Sequence, residues 1–306
     1  MSTLTYPEAI GVGLLQGVTE LFPVSSLGHS ILLPAIIGGK IQHDLDMTAE
    51  GSPYLSVLVG LHLATALALV VFFYKDWLRI ISGLISSIRH RRVETRNEKL
   101  AWLLIVSTIP VGIAGLAFEK ALRNALGKPI PAAVFLALNG LVLLGAERLK
   151  RGGTGRRRAG HAAPVADEPG LDPAIASDHR LARLGYKQGV WIGAAQILAL
   201  FPGISRSGVT MSAGILRGLH HEDAARFSFL LATPVIIAAS ALKVPELFKP
   251  ENSAVLGPVV AGSIAAFVAG YVSVRFLTKY FETRSLTPFA IYCFVAGVGS
   301  AVYLSL

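Results

Sequence analysis

Six apolar runs, at about 54–74, 100–118, 130–147, 227–247, 255–278 and 286–305, dominate this chain. A helix crosses the roughly 30 Å hydrocarbon core of a bilayer with about 20 residues, and only helices and closed barrels satisfy their own backbone there. Runs of this length predict an all-α, polytopic membrane protein. The formal charge of +9 would suit nucleic acid, but the cations sit in short stretches between apolar runs. That is the pattern of connections facing anionic lipid, so the expected partner is the bilayer and not nucleic acid. The lone cysteine, Cys293, lies inside an apolar run, which excludes an intramolecular disulfide. The N-terminus lacks a basic n-region and a small-residue cleavage site, so the first apolar segment is expected to stay in the protein.

Two pairs of shorter apolar pieces stand apart from the long runs: 6–21 with 29–38, and 186–201 with 208–218. At 1.5 Å per residue the first reaches only about 24 Å, short of a full crossing. Pro23 and Gly28 interrupt the first pair, and Pro202 and Gly203 the second. Two half-length helices around a polar break predict a re-entrant hairpin; a single long kinked helix is the alternative. Residues 39–53, with Asp44, Asp46 and Glu50, read as a polar loop, and 75–99 as a basic one. Residues 150–184 are rich in Gly, Pro and Arg and poor in large apolar side chains, so a flexible linker is expected. The chain then divides into a first repeat, 1–149 (hairpin about 6–38 and three spans), the linker, and a second repeat, 185–306 (hairpin about 186–218 and three spans). Three crossings are an odd number, so the second repeat should enter the bilayer inverted, with the two breaks near the midplane. The stretches 75–99, 148–187, 217–226 and 275–284 hold 21 Lys and Arg, and the opposite connections hold six. That imbalance predicts both termini outside the cytoplasm and the linker inside it.

The breaks carry the chemistry. Gln16 and Glu20 are four apart and share one helix face. Ser25 and Ser26 follow at the break, where a helix N-terminus favours anions, and His29 lies one turn on. The second break supplies Arg206, whose fork suits phosphate oxygens, with Ser205, Ser207, Gly208 and Thr210 around it. Polar groups in hydrocarbon persist mainly where they bind or react. Taken singly, the serines would serve as helix caps, Glu20 and Arg206 as a structural ion pair, and His29 as a hydrogen-bonded core residue. Together, a carboxylate, a serine, a histidine and an arginine suit phosphoryl transfer, which rests on positioning and charge stabilisation. Serine is a weak nucleophile without a base, and His29 and Glu20 are the two candidates for that base. Histidine is the better suited near neutral pH.

Gln16-x-x-x-Glu20 with Pro23-Val24-Ser25-Ser26-x-Gly28-His29, and Pro202-Gly203-Ile204-Ser205-Arg206-Ser207-Gly208-x-Thr210, resemble the two signature motifs of the undecaprenyl-diphosphate phosphatase family, the bacitracin-resistance type. The resemblance extends to Phe227–Ala232 and Pro288–Tyr292. It implies a plasma (inner) membrane hydrolase that removes the terminal phosphate of the C55 isoprenyl diphosphate, recycling the lipid carrier of cell-wall synthesis. It also implies re-entrant inverted repeats, a homodimer and a site open to the extracytoplasmic side. Carried over by motif position, Ser26 is the nucleophile, His29 a proton-transfer partner, Glu20 an assisting carboxylate and Arg206 the diphosphate clamp. Gln16, Ser25, Gly28, Ser205, Ser207, Gly208 and Thr210 are expected around the substrate. A divalent cation, Mg or Ca, is expected at Glu20, although Gln16 offers a hard cation only an amide. Leu27 stands where a small hydroxyl residue is usual, and His62-Leu63-Ala64-Thr65 where Gln-Leu-Gly-Thr is common. His62 is open to two readings, a residue lining the substrate cavity or a packed, hydrogen-bonded one. Inverted repeats with broken helices also build transporters, so a polyprenyl-phosphate flippase is the competing function.

Overall fold

The computed structural model describes residues 4–45, 54–153, 172–248 and 250–306, and every regular element among them is helical. The first hairpin is α1 (Tyr6–Thr19) and α2 (Ser26–Ile37), followed by the short α3 (Gly39–Asp44). Then come α4 (Tyr54–Phe72), α5 (Tyr74–His90), α6 (Arg96–Leu126), α7 (Pro129–Gly153) and α8 (Pro173–Leu181). The second hairpin is α9 (Tyr186–Ala194), a 3₁₀ turn (Ala195–Leu200) and α10 (Arg206–Leu216). The chain finishes with α11 (His221–Leu247), a 3₁₀ turn (Pro250–Val255), α12 (Leu256–Thr283) and α13 (Thr287–Tyr303).

Local chemistry explains the hairpin ends. Thr5 and Glu8 form a capping box at the start of α1, with the Thr5 N–H donating to Glu8 Oε2 at 2.8 Å. Ser25 caps α2, accepting from the Gly28 N–H at 3.2 Å. Ser205 caps α10 in the same way, accepting from the Gly208 N–H at 3.1 Å. Four described stretches are long and apolar enough to cross a membrane: Arg96–Phe118, Pro129–Arg151, His221–Pro245 and Ser253–Thr283. α4 and α5 pass that test only as a pair bent by 84°, and α13 is apolar but shorter.

The halves interlock. α1 packs along α12, and α9 packs along α6, so the first arm of each hairpin lies against a long helix of the other half. α7 packs on α13, and α4 on both α11 and α12. The approach of α1 to α12 requires a missing side chain: a Cβ at Gly17 would sit 2.5 Å from the Ala266 carbonyl oxygen. The larger core draws on both halves, with Leu69, Leu103 and Leu136 beside Phe227, Leu230 and Leu277.

Two sequence expectations need correcting. Residues 75–99 are not only a basic loop, because α5 occupies most of them. Its Leu78, Ile81, Ile85 and Ile88 recur every three or four residues on an exposed face, while Ile80, Gly83 and Ser87 are buried. Averaging hydropathy over that stretch conceals an amphipathic helix, because each apolar residue is offset by a polar one. The expected linker, 150–184, is also shorter than proposed. α7 runs to Gly153, and α8 is an ordered helix capped by Asp172. Asp178 and Arg180 of α8 pair with Arg226 and Asp223 of α11, at 2.8 Å in each case. A short polar helix of this kind is held by tertiary ion pairs that local composition does not reveal. Residues 154–171 of the expected linker, and Asp46 and Glu50 of the expected polar loop, lie outside the described residues. α3 occupies the start of that loop.

Candidate active site

The two breaks meet. In the first, the chain leaves α1 at Glu20, passes Phe22-Pro23-Val24 and re-enters helix at Ser26, with Ser25 at φ +69°. A non-glycine residue in that region is strained by about 1–3 kcal/mol, and such residues cluster at functional sites. In the second break Gly203 takes φ +107°, where glycine is free of that strain. A Cβ at Gly28 would lie 3.0 Å from Gly203 Cα, so the breaks touch through their glycines.

Asn139, fully buried in the middle of α7, joins them. Its Nδ2 donates to the Pro23 carbonyl at 3.0 Å, and its Oδ1 accepts the Ser205 N–H at 3.0 Å. Ser207 Oγ adds a bond to the Phe22 carbonyl at 3.1 Å. Irregular backbone at membrane depth needs such internal partners.

A cavity of about 300 Å³ opens at this junction. Its polar end holds Glu20, Ser25, Ser26, His62, Ser205 and Arg206, and its walls include Leu27, Leu58, Val111 and Ile236. α2 and α10 both begin at the cavity, so two positive helix ends lie at it. Glu20 organises the polar groups. Its Oε1 pairs with the Arg206 guanidinium. Its Oε2 accepts the Ser26 hydroxyl at 2.5 Å and the Gln16 amide at 3.0 Å, and His62 Nε2 lies 3.4 Å away. Arg206 also donates to the Ala232 carbonyl at 3.3 Å.

Of the residues expected at the site, Glu20, Ser25, Ser26, Ser205 and Arg206 line the cavity. Gln16 reaches it only through Glu20. Gly28, Ser207, Gly208 and Thr210 support the walls; Thr210 Oγ1, for example, donates to the Arg206 carbonyl at 2.7 Å. His29 faces away from Ser26. Its Nδ1 is 2.7 Å from the Ser25 carbonyl and its Nε2 is 2.7 Å from the Tyr292 hydroxyl, and it does not line the cavity. His29 and Ser26 are on one helix, but the backbone carbonyl turns the ring toward α13. His62 takes the cavity-lining reading. Sequence reasoning missed Asn139, whose partners lie 116 and 66 residues away. It also assigned no role to Gln196, which is buried at the cavity with its side-chain oxygen unpartnered among the described residues.

The cavity offers a divalent ion one protein carboxylate and no all-protein cage. Among the described residues Glu20 is the only carboxylate lining the cavity, and both its oxygens already face cationic or hydrogen-donating groups. No group of three metal-ligating side chains occurs among the described residues, so an ion at Glu20 would take its remaining ligands from water and substrate oxygens.

These features define a class: a polytopic helical membrane protein whose buried serine, carboxylate and guanidinium meet at paired helix N-termini, an arrangement suited to anionic phosphoryl groups. A family profile described as "Bacitracin resistance protein BacA" matches residues 9–299, and the chain belongs to that family. It is 60% identical to an "Undecaprenyl-diphosphatase" of Mycolicibacterium paratuberculosis, over 99% of this chain and 98% of that one. It is 59% identical to a protein of the same name from Mycobacterium avium over the same shares. An "Undecaprenyl-diphosphatase 2" of Frankia alni is 50% identical, over 97% of each chain.

Proposed function

We propose that this protein is a membrane phosphatase that hydrolyses undecaprenyl diphosphate to undecaprenyl phosphate and inorganic phosphate, the reaction that underlies bacitracin resistance. The observation that carries this reading is Glu20, which accepts the Ser26 hydroxyl on one oxygen and pairs with Arg206 through the other. The cavity is large enough for a headgroup but not for fifty-five carbons, so the prenyl chain lies in the bilayer and the diphosphate enters.

Ser26 Oγ attacks the terminal phosphorus while Glu20 Oε2 takes its proton, and the bridging P–O bond breaks to release the lipid monophosphate. Arg206, held by Glu20 and the Ala232 carbonyl, turns its remaining N–H donors to the phosphoryl oxygens and offsets the charge that develops there. Water activated by Glu20 then cleaves the phosphoserine. The role expected of His29 passes to Glu20, because both ring nitrogens of His29 are engaged elsewhere. His29 instead supports the Ser25 turn.

The site opens to the extracytoplasmic side in this reading, with the repeats inverted and the basic connections in the cytoplasm; the charge imbalance between connections supports it. Two copies form the working unit, as the resemblance implies, which the mass of the detergent-solubilised protein tests. A divalent cation would arrive as counter-ion of the diphosphate, and Glu20 is the cavity carboxylate that would help hold it.

Phosphate release from C55 diphosphate by purified protein is the deciding experiment. Ser26→Ala should lose at least about a thousandfold in turnover while still binding the lipid. Movement of lipid phosphate across vesicles without phosphate release would replace this reading with the flippase.

A further inference from the structure

We propose that α5 is an interfacial helix that lies within one leaflet of the bilayer and docks on anionic lipid headgroups. No residue of α5 lines the cavity, so this surface is separate from the reaction assigned there. Alone, α5 is too short and too polar to span. Its 17 residues include Lys75, Asp76, Arg79 and Arg89, and it leaves α4 through a bend of 84° at Phe73. With α4 crossing the bilayer, that bend sets α5 roughly parallel to the membrane plane.

The two faces of α5 meet different surroundings. Toward the protein, Asp76, Ile80, Gly83 and Ser87 are buried. A Cβ at Gly83 would lie 2.8 Å from the Asn97 carbonyl carbon, and Ser87 Oγ accepts from Trp102 Nε1 at 2.9 Å, which fastens this face to the start of α6. The opposite face carries Tyr74, Leu78, Ile81, Ile85 and Ile88, each 49–64% exposed. At 3.6 residues per turn these five fall on one stripe about 80° wide. A surface facing water rarely carries such a continuous apolar stripe.

The cations identify what covers the stripe. Lys75 and Arg89 stand on one flank of it, near opposite ends of the helix, and Arg91 and Arg92 follow directly; all four are exposed. Arg92 also meets Glu94 at 3.5 Å. Asp76, the one carboxylate of α5, is turned inward onto Arg79 and Arg226. Long basic side chains at an apolar edge raise their charge to headgroup level while their stems stay in the apolar layer. Tyr74, at the start of the helix, suits that same level. A helix built this way settles with its apolar face about 5–10 Å into the boundary between headgroups and acyl chains. A second copy of the chain would cover the apolar stripe but would leave the cations beside it without a role, whereas anionic lipid engages both.

The test places an environment-sensitive fluorophore on Ile85→Cys of the full-length protein, Cys293 being buried, in vesicles of phosphatidylcholine and phosphatidylglycerol. Lipids brominated high on the acyl chain should quench it at least about threefold more than lipids brominated near the chain end, and aqueous iodide should quench it little. Stronger quenching from the chain ends would make α5 part of a re-entrant or spanning segment. Strong iodide quenching would put the stripe in water, and quenching by neither would mean that protein covers it. Each of these three outcomes overturns the proposal. Leu78→Cys, on the same stripe, takes the place of Ile85→Cys if the label at 85 lowers the melting temperature. The headgroup is read separately, with bromine carried by only one of the two lipids at equal mole fractions. Brominated phosphatidylglycerol should quench at least about twofold more than brominated phosphatidylcholine. That preference should shrink in high salt, and it should fall by at least about half when Arg89→Gln, Arg91→Gln and Arg92→Gln are combined. Equal quenching by the two lipids with the arginines intact, or a preference undiminished by their loss, overturns the anionic partner.

Discussion

Arg206 holds its place through geometry as well as charge: it pairs with Glu20 and donates to the Ala232 carbonyl, so its fork is oriented before substrate arrives. Lysine offers a point charge without that fork. Arg206→Lys should therefore lose at least about 1.4 kcal/mol of transition-state stabilisation, a tenfold fall in kcat/KM measured by phosphate release. The carboxylate is engaged as well: Glu20 accepts from Ser26 and Gln16 and pairs with Arg206. Chelator treatment of the purified protein should leave its melting temperature unchanged, and added Mg should act on KM through the substrate. A fall of several degrees on chelation would restore the resident metal expected from the sequence.

At the level of elements, the two hairpins are useful only because their breaks are pinned together. Each break is capped by its own serine, which is local and repeats in both halves. The link between them is not local: Asn139 on α7 bridges the Pro23 carbonyl and the Ser205 amide, and Ser207 bonds the Phe22 carbonyl. Asn139→Ala leaves both groups buried without this partner, at roughly 1–3 kcal/mol each. The variant should melt several degrees lower and lose turnover more than lipid binding, because Ser26 and Arg206 come from opposite breaks.

For the molecule as a whole, the site sits where the two halves interlock, and a separate cluster of ion pairs ties them elsewhere. Asp178 of α8 accepts from Arg79 at 2.9 Å and from Arg226 at 2.8 Å, and Arg226 also meets Asp76 at 2.9 Å. Breaking a buried pair from one side leaves an uncompensated charge at about 3–5 kcal/mol. Asp178→Ala should accordingly show a markedly lower melting temperature, and deletions reaching into 173–181 should do the same. Topology has its own check. An impermeant maleimide applied from outside should label cysteine placed at Lys40 and spare one placed at His90; buried Cys293 should stay silent. The reverse pattern would invert the orientation.

The sequence alone determined the membrane-spanning class, the two broken hairpins and most of the chemical groups, because each is written in short-range patterns. Apolar runs record the bilayer, prolines and glycines record the breaks, and Gln16, Glu20, Ser25, Ser26, Ser205 and Arg206 sit in contiguous motifs. Who works with whom was decided by tertiary structure. His29 and Ser26 are three residues apart yet face different neighbours, while His62, on another helix, comes within reach of Glu20. Asn139 and α8 were illegible for the same reason: their roles lie in contacts with distant elements. A hydrogen bond selects its partner by distance and direction in space, and separation along the chain fixes neither once helices have packed.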